Sequence, residues 1–173
     1  MTALLTHVLA AYALGTVATW RVGWLEARHV PMAMVGSVLP DAAKVYLLTG
    51  SLRATIAGVE VSWLALQTVG VAVTLAVAGS LLVPSTERRA VLAVLVGGIF
   101  LHVVLDLQVV RAGGYAPPYL YPFSWLQLPS TDLYLSSDIW PAVFAGSVAV
   151  LVWATGRYRS TRQRTKRLNG NRL

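Results

Sequence analysis

The run at residues 88–110, RRAVLAVLVGGIFLHVVLDLQVV, constrains this chain more than any other stretch. It is long enough to cross a bilayer as one helix. Near its far end it carries His102 and Asp106. Four residues apart, these two sit one above the other on the same helix face. On insertion scales, an acidic side chain inside a membrane span costs roughly 2.5–3.5 kcal/mol. Two ionisable groups on one face therefore imply a shared partner, which the rest of the chain must supply.

Composition makes a soluble domain an unlikely home for such a run. The chain is 56% hydrophobic and 12% charged, with a mean hydropathy of +0.63, against about 25% charged in a typical soluble domain. The expected fold class is all-α, a polytopic integral membrane helical bundle with about five membrane segments. These are 3–20, 30–49, 61–83, 88–110 and 139–155. Pro40 interrupts the second, which reads either as a kinked span or as a re-entrant pair of short helices. Residues 1–156 then form the transmembrane domain, with 111–137 as a Pro-, Gly- and aromatic-rich extracytoplasmic loop. Residues 157–173 form a basic cytoplasmic tail, expected to be disordered. The N-terminus lacks the basic region of a cleaved signal peptide and reads as a retained first span. There is no cysteine, so any metal must be held by His, carboxylate, carbonyl or water.

Orientation follows from the positive charges. Seven of the 14 Lys/Arg lie after residue 156, which puts the tail in the cytoplasm. Five spans then bring Arg21, Arg28, Arg88 and Arg89 to the same side, so that 11 of the 14 share it. The protein is expected in the cell membrane as a multi-pass chain. On this topology His7, His102 and Asp106 occupy the outer half of their helices, Glu60, Asp132 and Asp138 the outer mouth, and Asp41 mid-depth behind Pro40. The acids were not used to set the orientation, so their clustering is an independent check.

His7, Asp41, His102 and Asp106 are the candidate metal ligands, because zinc and similar ions take imidazole and carboxylate together. The competing reading is a metal-free polar network in which His102 bonds Asp106 and Asp41 pairs with Lys44. The aromatic residues Tyr115, Tyr119, Tyr121, Phe123 and Trp125 read as an interfacial belt rather than a lid. The Arg-rich tail reads as a topology signal, with no nucleic-acid partner expected. His29 and Glu26 read as surface residues of a hinge, and Ala93, Gly97 and Gly98 as a small-residue face for close helix packing.

Taken in order, Thr6-His7, Leu39-Pro40-Asp41, His102-Val-Val-Leu-Asp106, Gly113-Gly114 and Leu120-Tyr-Pro-Phe-Ser-Trp125 resemble the YdjM-like membrane-bound metal-dependent hydrolases. That family is usually considered a distant relative of zinc-dependent phospholipase C. The likeness covers about residues 5–140. It implies a divalent metal, zinc or manganese, at His7, Asp41, His102 and Asp106. It also implies hydrolysis of an ester or phosphoester, with membrane lipids as surroundings and a lipid as one candidate substrate. The family's central His-Arg-Gly-x-Thr-His-Ser segment is missing, for there is no histidine between His29 and His102. Glu60, Asp132 or Asp138 would then stand in as ligand or general base beside a metal-activated water. The alternative is a catalytically degenerate scaffold or accessory protein that keeps the fold.

Overall fold

The computed structural model describes residues 2–45, 50–51 and 53–170. Five α-helices carry most of the described chain: α1 (Thr2–Arg21), α2 (Val30–Gly36), α3 (Val69–Leu81), α4 (Ser85–Asp106) and α5 (Trp140–Gly170). An antiparallel hairpin, β1 (Arg53–Ile56) with β2 (Val59–Ser62), stands between α2 and α3. The all-helical expectation therefore holds for the bundle but not for this connection.

Among the described residues, two helices are long and apolar enough to cross a membrane, α1 and α4. The other expected spans differ. Residues 30–45 form the short α2 and then a 3-10 helix, Leu39–Val45, instead of one continuous helix. Pro40 lies at the start of that second piece, where its missing N–H and fixed φ break an α-helix. The expected span 61–83 is also interrupted. Its first residues belong to β2 and to a 3-10 helix, Trp63–Gln67, leaving α3 with 13 residues. At 1.5 Å per residue that is about 20 Å, short of the roughly 30 Å hydrocarbon core. Thr68 caps α3, its hydroxyl accepting from Val71 N. The chain beyond residue 156, expected as a disordered tail, continues α5 without a break to Gly170.

Apolar side chains face outward. Phe100, Leu14, Phe144, Val143, Leu151 and Leu82 are all exposed, while His7, His102, Asp106 and Ser37 are buried. Exposed apolar side chains in such number mark a surface that meets a membrane, a protein partner or a ligand. Inside, Ala72, Ala76, Val91, Leu95 and Ile99 join α3 to α4. α2 and α4 approach closely enough for backbone to meet backbone. A Cβ at Gly98 would stand 2.6 Å from Ser37 N and closer still to Ala33 O, and one at Gly36 would stand 2.8 Å from Leu95 Cα. Only glycine allows this crossing. Gly97 faces open space, so the small-residue face works through Gly98 and not through its neighbour.

The two ends of the bundle differ in charge. At one end Arg89 lies over Trp24, Arg157 over Trp153 and Arg159 over Trp20, each as a cation–π pair. There His29, read as a surface residue, is instead buried. Its Nε2 lies 2.7 Å from Glu87, which Arg28 also contacts at 2.8 Å, so the hinge after α1 is tied to the start of α4. The other end holds His7, His102, Asp41 and Asp106. From Trp20 to His7 along α1 is about 20 Å.

Candidate metal centre

α1 and α4 run antiparallel, so the start of one meets the end of the other. His7, on the second turn of α1, therefore faces His102 and Asp106, on the last turns of α4. The imidazoles lie with ring centroids 4.4 Å apart. His7 Nε2 is 3.5 Å from Asp106 Oδ1, and His102 Nε2 is 3.8 Å from Asp106 Oδ2. One ligand atom from each of these three residues lies within 4.8 Å of the others, and all three residues are buried. Asp41 flanks the group, its Oδ1 3.9 Å from His102 Nε2.

Backbone carbonyls fix both imidazoles. Ala3 O contacts His7 Nδ1 at 2.5 Å, and Ser37 O contacts His102 Nδ1 at 2.9 Å. The second contact depends on the Gly36–Gly98 crossing, since His102 is one turn beyond Gly98. A histidine whose Nδ1 donates to a carbonyl presents Nε2 as its lone pair, the form in which histidine binds a metal. Both Nε2 atoms, and Asp41 Oδ1, are buried without a hydrogen-bond partner among the described residues. Buried polar atoms are ordinarily paired. Two orphaned imidazole nitrogens beside one carboxylate, with Asp41 Oδ1 near His102, suit a cation. The group His7, His102 and Asp106 can hold a metal ion.

The carboxylates are in turn held from outside. Asp106 Oδ2 accepts from Tyr119 Oη at 2.5 Å and from Arg111 at 2.8 Å, and Asp41 Oδ2 accepts from Lys44 Nζ at 2.6 Å. Tyr119 is buried, unlike Phe123 and Trp125 of the same loop, so the expected aromatic belt contributes one residue to the site. Its loop is docked by backbone bonds from Val69 N to Tyr119 O and from Gly70 N to Tyr121 O. A Cβ on Gly70 would meet Tyr121 O at 2.8 Å, so this contact too requires glycine. Burial, and then the neighbouring Asp106 charge, push the Tyr119 phenol far above the ordinary tyrosine range. It stays protonated and donates. Tyr134, whose Oη donates to Leu105 O at 2.9 Å, is shifted upward for the same reasons.

The three residues expected to supply further ligands or the base have local partners instead. Glu60 sits on the exposed hairpin, 3.6 Å from Arg53. Asp132 accepts from Arg111 N and Ser130 Oγ, and Asp138 accepts from Leu135 N. None of the three joins the buried group. Conversely, Arg111 and Ser37 went unassigned in the sequence, and Tyr119 was read only as part of the aromatic belt. Arg111 had a usable signal, a cation five residues beyond Asp106 in an otherwise apolar stretch. Ser37 had none, because it acts through its carbonyl.

Comparison with protein-family models, with curated proteins and with solved structures found no match to this chain. Its class is defined by what the chain itself holds. It is a mainly helical protein with two candidate membrane spans and a buried His–His–Asp group able to hold a metal ion.

Proposed function

We propose that this protein is a multi-pass, membrane-embedded, metal-dependent hydrolase of esters or phosphoesters, with its basic end in the cytoplasm and its site at the opposite face. The observation that carries the reading is the pair of buried, unpartnered Nε2 atoms of His7 and His102 beside the Asp106 carboxylate. The resemblance of the His102–Asp106 and Pro40-Asp41 motifs to YdjM-like hydrolases points the same way. His7, His102 and Asp106 would hold the ion, with Asp41 at its flank. A bound divalent ion supplies Lewis acidity and a water acidified to near neutrality. The chain's own groups do the rest. Ser37 O and Ala3 O hold the imidazoles in the binding tautomer, and Tyr119 and Arg111 hold Asp106 in place by hydrogen bonds.

A metal-free network is the competing reading, since Arg111, Tyr119 and Lys44 already satisfy one oxygen of each carboxylate. Metal analysis of detergent-purified protein separates the two. Near-stoichiometric zinc or manganese, lost in His7→Ala and His102→Ala, supports the hydrolase. A preparation without stoichiometric metal, whose thermal stability is unmoved by added zinc or manganese, refutes it.

A further inference from the structure

Asp106 borders a cavity of about 630 Å³ whose walls also include Lys44, Arg111, Gln67, Tyr115 and Ser136. Three other cavities among the described residues are walled almost wholly by apolar groups, one of them by Ala10, Leu105 and Phe144. Lys44 and Arg111 come from separate elements, the 3-10 helix after α2 and the loop after α4, yet line one space. Each touches a carboxylate of the candidate centre with part of its donor capacity. Among the described residues Lys44 makes one bond, to Asp41, leaving two of its three N–H groups for another acceptor. Arg111 bonds Asp106 through one terminal nitrogen, and its Nε is buried with no partner.

Charge balance sharpens this. Lys44 and Arg111 each pair with one carboxylate, Asp41 and Asp106, and a metal takes imidazole in its uncharged form. A divalent ion then leaves two positive charges in excess. A neutral carboxylic ester cannot compensate them, whereas a phosphate monoester carries up to two negative charges and several acceptor oxygens. Guanidinium and ammonium groups converging beside a metal are a common arrangement for phosphate.

We infer that Lys44 and Arg111 form an anion clamp that selects a terminal phosphate group, making the substrate a phosphomonoester. The inference rests on the metal-dependent reading above, and its test keeps the two apart. The probe is inorganic phosphate, titrated calorimetrically into metal-loaded protein in detergent after dialysis removes free metal. Wild type binds phosphate; K44Q weakens it tenfold or more and keeps the metal, and R111K, which keeps a cationic donor for Asp106, weakens it likewise. Lys44 is partly exposed, so K44Q carries the test if substitution at Arg111 impairs folding. A metal-retaining wild type blind to phosphate, or a K44Q variant that binds it as wild type does, overturns the clamp and leaves the metal centre standing. A wild type that holds no metal overturns both. Competition identifies the source of the phosphate. Displacement by micellar phosphatidic acid where glycerol phosphate fails assigns a lipid headgroup, and equal displacement assigns a soluble ester.

Discussion

Two adjacent glycines on α4 should respond to the same substitution with opposite signs. At Gly98 an added methyl would lie 2.6 Å from Ser37 N, with Ala33 O closer still. Carbon contacts settle near 3.5–4.0 Å, so α2 and α4 must separate by about 1 Å. Such a shift stretches the 2.9 Å contact between His102 Nδ1 and Ser37 O to about 3.9 Å, beyond hydrogen-bonding range. Overpacking costs about 1–3 kcal/mol, and the lost bond about 1 more. Losing the group that orients a ligand imidazole lowers metal affinity by about 10–100-fold. At Gly97 a Cβ meets nothing within 4 Å, and Gly→Ala in a helix gains up to about 1 kcal/mol. Thermal unfolding in detergent and metal affinity by chelator competition read both effects. Gly98→Ala should unfold earlier and bind metal more weakly; Gly97→Ala should equal or exceed wild type in stability, with metal affinity unchanged. Equal behaviour of the two variants would refute the claim that the α2–α4 crossing builds the site.

Three further outcomes are expected. Asp106→Ala leaves Arg111 and Tyr119 without their acceptor and should cost about 3–5 kcal/mol, whereas Asp106→Asn should unfold closer to wild type while still losing metal; equal stability of the two, by thermal melts, would count against the Asp106 network. The Tyr119 phenol is raised on folding above its ordinary value of 10.0, so the folded chain keeps a proton that the unfolded chain releases. Its contribution is complete below that pH and is lost as pH rises above it. The slope is at most about 1.4 kcal/mol per pH unit. Unfolding midpoints of metal-free protein should fall above pH 10 in wild type and less steeply in Tyr119→Phe. Glu60→Gln, on an exposed hairpin with its partner Arg53 also exposed, should alter stability by no more than about 0.5 kcal/mol and leave metal content untouched; a loss of metal would place the hairpin in the site.

The legible parts of the site were those with short-range signatures. His102 and Asp106 share a face because of helical spacing, and the cost of burying them implied partners. His7 followed from its position near the start of an antiparallel helix, and Asp41 from the Pro-Asp step. Glu60, Asp132 and Asp138 were nominated by charge and expected depth alone. The fold instead gave them Arg53, Ser130 and Leu135 as local partners. Tyr119 was hidden among aromatics of similar character, because what sets it apart is the docking of its loop on Gly70, a contact 50 residues away in sequence.

By itself the amino-acid order determined a mainly helical, apolar chain with ionisable residues sharing one face of α4 and basic charge gathered toward its end. These properties are local, written in periodicity and hydropathy, and they need no knowledge of the neighbours. Tertiary structure decided which helices reach full membrane length, which carboxylates meet the histidines, and that Lys44 and Arg111 share one cavity. Those outcomes depend on how closely separate backbones approach, which Gly36, Gly98 and Gly70 permit without any repeating pattern to announce it.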